Sequence, residues 1–429
     1  MEEKRTIARW LYITPPIFFL WVFAQMDKLG LSVIITNNEF LETFGIENQA
    51  AKAGLFMTGF LITYGVSSIA WGFIVDKIGP RKSAIAGVTI WIITMVMGGI
   101  VTTYGAFMIS RLILGIGEAI LFPVCNKFIA NWFNSKETGK AQSTWLMGNY
   151  LGPAIGIPLI VFIISFGGWE LSFFVLAAFS LLINIPMLLF LTRDTPEEHF
   201  AVNKTELNYI REDVIGDKVQ TTKGNIFTNI KFWMVWLAML IDSLLFYGIS
   251  FWLPTYLEQE RGLSSSIMGA WTSSAWLMAF VAVFVVGALA DKTRRPALLG
   301  TLSFIIGGTA ITVASITSSS SIAGAMMGLG LACVGAVLTI TQLLVVQYSR
   351  QDQTGAAAGV IGFTNIVGGF ATAFMGFLVD VSGSFATSLI FLIVCMIAGA
   401  LSLLTLIPSE HKIIRNAVKT ENFGGAHSG

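Results

Sequence analysis

Gly72-Phe73-Ile74-Val75-Asp76-Lys77-Ile78-Gly79-Pro80-Arg81-Lys82 stands between two long apolar runs. A glycine, an acid–base pair, a second glycine, a proline and two more bases make a charged turn between two helices. A weaker copy, Gly287-Ala288-Leu289-Ala290-Asp291-Lys292-Thr293-Arg294-Arg295, keeps the G-x3-D-K core and loses the later glycine. Gly72 and Gly287 are 215 residues apart, as are Asp76 and Asp291, in a chain of 429. A repeat at half the chain length implies two halves of one design.

Outward from these turns, apolar runs bounded by charge or turn residues give twelve candidate helices: 15–37, 51–75, 83–103, 105–132, 141–166, 169–191, 230–258, 266–289, 297–316, 321–348, 355–381 and 384–407. Hydrophobic residues make up 55% of the chain and charged residues 12%. A membrane-spanning helix takes roughly 20 apolar residues, so twelve nearly exhaust the hydrophobic content. A soluble protein of this composition would expose large apolar patches. An ordinary cytosolic enzyme, a disordered chain and a disulfide scaffold are excluded. The runs are too long and too evenly apolar for barrel strands. The expected fold is an all-α integral membrane protein with twelve transmembrane helices in two six-helix halves. Residues 1–14 form a tail, 15–191 the first half, 192–229 a polar linker, 230–407 the second half, and 408–429 a second tail, read as disordered.

Loop charge orients the chain. With the N-terminus in the cytoplasm, twenty-one Lys and Arg fall on the inner side, against Lys52 and Arg261 outside. Both termini are then cytoplasmic. The charged start through Tyr12 lacks a cleavage site, so no signal peptide is expected.

Other local stretches carry a resemblance. The Gly72–Lys82 turn resembles the loop signature of the major facilitator superfamily. Arg111-Leu-Ile-Leu-Gly115-Ile-Gly117-Glu118-Ala119-Ile-Leu-Phe122-Pro123 with Asn131-Trp132-Phe133 is similar to span four of its anion:cation symporters. Trp252-Leu-Pro254-Thr-Tyr256 and Asp194-Thr-Pro196-Glu-Glu-His199 fit the same family. The resemblance implies the facilitator fold and proton-coupled uptake of an organic anion at a bacterial inner membrane, the family including carriers of galactonate, hexuronates and glucarate. It implies a proton-coupling role for Glu118 and a supporting one for Arg111. It also implies a gating cluster at Gly72, Asp76, Lys77, Gly79, Arg81 and Lys82. Three positions depart from the family pattern: Asp27-Lys28 replaces Asp-Arg, Gln25 stands where an aromatic is common, and Glu170 where an Arg is. Lysine lacks the bidentate fork of arginine.

Charges inside a bilayer are costly and mark pathways and proton relays. Asp27, Lys28, Arg111, Glu118 and Asp242 fall within the spans, with Lys127 nearer an end. Asp27 and Glu118 are expected to carry protons. Lys28 and its neighbour Asp27 point about 100° apart on a helix, so Lys28 is free to bind a carboxylate or to pair with an acid on another helix. Arg111 and Glu118, seven residues apart, share a face about 10 Å apart along the axis. A protonated Glu118 would release a nearby cation to hold an anion. Asp242 is a possible second acid or a helix-packing contact. Tyr64, Arg111, Asn149, Tyr247 and Asn365 are candidate substrate-binding residues beside Lys28, and Gln342 a weaker one. Interhelical hydrogen bonds or interfacial placement are their plain alternatives.

The expected partners are a small organic anion, protons and lipid. Proton is the coupling ion, and no cofactor, metal or nucleic acid is expected. The chain is expected to act as a monomer. Cys125, Cys333 and Cys395 lie in apolar runs, and the histidines in polar ones. No phosphate-binding loop is present, so ATP is not a direct driver. The rival reading is a proton-coupled drug exporter, because Gly139, Gly148, Gly152, Pro153 and Gly156 nearly reproduce an antiporter signature. The buried cations favour an anion.

Overall fold

The computed structural model describes residues 5–211, 229–348, 354–408 and 410, and every regular element among them is helical. The expected disordered tail after Pro408 (residue 410 aside) and the central part of the linker lie outside the described residues.

Among the described residues, eleven continuous helical stretches are long and apolar enough to cross a membrane. One of them, Thr138–Leu191, spans 54 residues. It breaks at Gly167 and Gly168, the latter at φ +81, a conformation that glycine reaches without a Cβ penalty. The break makes spans five and six, so twelve spans stand among the described residues. Span one is Thr14–Ile34, two Ala50–Ile78, three Pro80–Ile100, and four Tyr104–Glu118 continued by Leu121–Trp132. The second half holds span seven (Ile230–Thr255), eight (Ser265–Thr293), nine (Pro296–Ile316), ten (Ser320–Tyr348), eleven (Thr354–Ser382) and twelve (Ala386–Leu404). Helices suit this environment because each satisfies its own backbone, which lipid cannot do.

Spans three and nine open the same way. Pro80 and Pro296 each start a helix, where the missing N–H costs nothing. An acid from the end of each half caps that start. The Arg81 amide donates to Asp194 at 2.8 Å. The Ala297 amide donates to Glu410 at 2.5 Å and the Leu298 amide at 3.3 Å.

Two elements depart from the expected loops. A short helix, Asn38–Phe44, follows span one, capped by Asn37 and ended by Gly45 at φ +61. The linker contains a helix, Lys204–Arg211, that holds the expected N-terminal tail. Glu206 accepts from the Ala8 amide at 3.0 Å and from the Arg9 guanidinium at 2.6 Å, and from Thr6 Oγ1. Arg9 Nε also donates to Glu137 at 2.8 Å. Burial pushes the Glu137 carboxyl up, but the Arg9 guanidinium outweighs it and holds the group below the ordinary carboxylate value. Residues 5–12 are therefore packed structure rather than a free tail.

On the face away from the termini, hydrogen bonds join the two halves. There the Ala50 and Ala51 amides of span two donate to Asp380 of span eleven at 2.7 and 2.9 Å. Further in, Thr58 Oγ1 donates to the Gly369 carbonyl at 2.8 Å. Spans five and eight close the other side of this face, Ser273 Oγ donating to the Ala154 carbonyl at 2.5 Å.

Candidate functional site

Span one brings two charges into the bundle side by side, and span four supplies two more. They pair crosswise. Arg111 Nη1 lies 3.5 Å from Asp27 Oδ1, and Lys28 Nζ lies 3.7 Å from Glu118 Oε2. All four side chains are buried, Glu118 completely. Glu118 stands beside the Asp27 carboxyl as well, and the loose pairing with Lys28 is its one ion pair among the described residues. The Lys28 ammonium also lies 4.7 Å from the centre of the Tyr64 ring and 5.4 Å from that of Phe60, whose π faces attract it.

A cavity of about 190 Å³ opens beside this cluster, between the halves. Lys28, Tyr64 and Asn149 line it from the first half, and Asp242, Tyr247, Gln342 and Asn365 from the second. Trp21, Phe122 and Phe246 add flat apolar walls. Such a mixture fixes the orientation of a small ligand by a few polar groups on an apolar lining. Gln25 also lines the cavity, bonded through its amide to Asn149, with its carbonyl oxygen unpartnered.

Arg111, expected to bind substrate, does not line this cavity. Its guanidinium is turned to Asp27 and sits 5.0 Å from the Phe107 ring centre and 5.1 Å from that of Phe173. Seven-residue spacing put Arg111 on one face of span four with Glu118, and in the structure that face meets span one. The spacing could not say that Asp27 would take the charge.

Asp242 is 1% exposed and its Oδ1 has no hydrogen-bond partner. It stands 215 residues after Asp27, as Trp236 does after Trp21, which is the interval of the charged turns. That interval was available in the sequence and makes Asp242 the second-half counterpart of Asp27. Gln25 could have been found as a polar residue one turn from Lys28.

The glycines of span five have a packing role. A Cβ on Gly148 would sit 2.8 Å from the Phe18 carbonyl oxygen, and one on Gly152 2.6 Å from that of Val22. One on Gly156 would sit 2.6 Å from Met26 Cγ. Glycines every four residues let spans one and five approach closely.

The sequence profile of the Major Facilitator Superfamily matches residues 17–373. The chain belongs to the major facilitator superfamily. This facilitator is 27% identical over 396 residues to a probable sulfoacetate transporter of Cupriavidus necator, covering 89% of each chain. It is 26% identical over 418 residues to a D-galactonate transporter of Escherichia coli, covering 92% of this chain and 95% of that one. A solved bacterial homolog to the human lysosomal transporter Spinster, inward-facing and occupied, has the same fold. Its TM-score is 0.77 at 16% identity, over 93% of this chain and 97% of that one. The facilitator is thus a multi-pass membrane transporter and not an enzyme.

In this facilitator the Gly72–Lys82 turn lies away from the cavity. Lys127 Nζ reaches Asp76 Oδ1 at 2.6 Å. Gly79 holds φ +88, and a Cβ there would lie 2.7 Å from the Asp194 carboxyl. Arg81 donates to the Leu188 and Leu189 carbonyls at 3.1 and 2.6 Å. These bonds all stay within the first half. Among the described residues, no side-chain bond of Lys77 or Lys82 crosses to the second half.

Proposed function

We propose that the protein is a secondary active carrier that takes up an organic anion with protons, most favourably a sugar acid, by alternating access. The observation that carries this reading is the buried Lys28 on the cavity wall, loosely paired with the fully buried Glu118. With Glu118 ionised, the pair is neutral and the cavity has no free cation. A proton on Glu118 releases Lys28, which then holds a substrate carboxylate. Loss of that proton on the other side reforms the pair and expels the anion. Asp27 is the other candidate proton site, with Arg111 as its charge partner. Tyr64, Asn149, Tyr247, Gln342 and Asn365 offer donors and acceptors to hydroxyl groups. The relatives named for sulfoacetate and D-galactonate support an anionic substrate.

The positive-inside bias places both termini in the cytoplasm of a bacterial inner membrane. The tightly joined face is then the outer one, and this state is closed to the outside. The Asp76–Lys127 cluster would steady the inner ends of spans two and four during the swing. The drug-exporter reading is disfavoured twice. The cavity holds about six water volumes of ~30 Å³, well below the ~300–1,000 Å³ of drug-sized pockets. The glycine signature is explained by packing on span one.

The test is uptake of labelled sugar acids into proteoliposomes under an inward proton gradient, with a lipophilic cation as control. The expected result is acid accumulation that a protonophore collapses. Glu118→Gln should abolish gradient-driven accumulation and keep exchange of substrate across the membrane. Gradient-driven export of the cation without acid uptake would overturn the reading.

A further inference from the structure

The cavity has one cation and one acid without an ion-pair partner among the described residues, contributed by different halves. Lys28 belongs to the first half, and Asp242 to the second. Arg111 is withheld by Asp27 and does not line the cavity. The second half offers no substitute: Lys231, Arg261, Lys292, Arg294, Arg295 and Arg350 all fall at the ends of its spans in the sequence. Among the described residues Asp242 takes part in no ion pair, and its Oδ1 accepts no hydrogen bond. A buried carboxyl left in this state is costly unless it takes a proton or a ligand satisfies it.

A polyhydroxy acid satisfies both walls. Its carboxylate meets Lys28, and hydroxyl groups at its far end donate to Asp242. Ser243 and Asn365, whose Oγ and Oδ1 are 3.5 Å apart, stand beside it to take further hydroxyls. A sugar acid with a carboxylate at each end meets the opposite situation. Its second carboxylate must lie against Asp242 with no cation beside either. Two carboxyl groups at one uncompensated place either repel or must share a proton.

We propose that Asp242 is a specificity-determining residue that restricts the substrate to sugar acids with a single acid group and excludes those with one at each end. The inference rests on the sugar-acid reading above and deepens it.

Binding to the full-length protein in detergent tests it with three six-carbon probes: a hexonate, the matching aldarate, and the aldarate converted to a neutral amide at one end. Wild-type protein should prefer the hexonate and the mono-amide over the aldarate by at least about tenfold, since like charges placed together at a binding site are strongly disfavoured. Asp242→Asn should bring the aldarate to within about threefold of the hexonate by removing that repulsion. The mono-amide needs no variant, so the result on wild-type protein stands even if Asp242→Asn fails to fold. Aldarate binding as tight as hexonate, or a mono-amide no better than the aldarate, overturns the inference and leaves the sugar-acid reading intact. Failure of all three to bind overturns the sugar-acid reading, and this inference with it.

Discussion

Asp27 and Asp242 hold equivalent places in the two halves and live under opposite electrostatic regimes. In the first half four charges pair off, Asp27 with Arg111 and Lys28 with Glu118. In the second half the repeat of that position is an acid with no ion-pair partner among the described residues. The first half therefore settles its charge internally. The second half leaves its charge to be met by whatever enters the cavity. Duplication supplied matching scaffolds, and the divergence lies in who neutralises the acid.

The largest effect should come from neutralising each acid in turn. Asp27→Asn leaves Arg111 buried without its partner and should lower unfolding stability by about 3–5 kcal/mol. Asp242→Asn removes an uncompensated buried group and should leave stability unchanged or raise it. Unfolding of the purified variants in detergent checks both. Equal losses would break the contrast.

The seam between the halves comes next. Asp380 is the acid through which span eleven caps span two. Asp380→Ala should cost that closure about 1 kcal/mol, the scale of a helix cap. That shift raises the population open on this face roughly fivefold. Spin labels on Asn48 and Ser384, which line the crevice there, would report it as a longer-distance component.

The smallest effect concerns the features the halves share. Asp194→Ala and Glu410→Ala each remove a cap from the start of span three or span nine, at about 1 kcal/mol apiece. The two losses should agree to within about 0.5 kcal/mol, within the spread of cap energies. A larger gap, read from the same unfolding curves, would extend the asymmetry beyond the cavity to the scaffold.

The spans were legible because a bilayer forces an uninterrupted apolar run of helix length. Even the break between spans five and six was legible, since paired glycines at 167 and 168 stop such a run. Lys28, Tyr64, Asn149, Tyr247, Asn365 and Asp242 stood out as polar residues where lipid tolerates few, and all line one cavity. Arg111 stood out equally and went elsewhere. Spacing along a helix fixes a face but not the neighbour that face meets. Asp380 and Asp194 were not legible as caps, because polar residues at span ends are ordinary. The linker helix was missed because its polar composition reads as loop, and its buried Glu206 is held by a tail almost two hundred residues earlier.

That last bond bears on how the chain is made. Arg9 and Glu206 are 197 residues apart, and the whole first half lies between them. As the polypeptide emerges in order, the guanidinium waits through six spans for its carboxylate. When the linker helix arrives, all six spans that the clamp embraces have already been made. Domains synthesised first tend to fold first as units. The clamp thus acts as a fastening on a finished half, and span seven is threaded beside a partner already assembled.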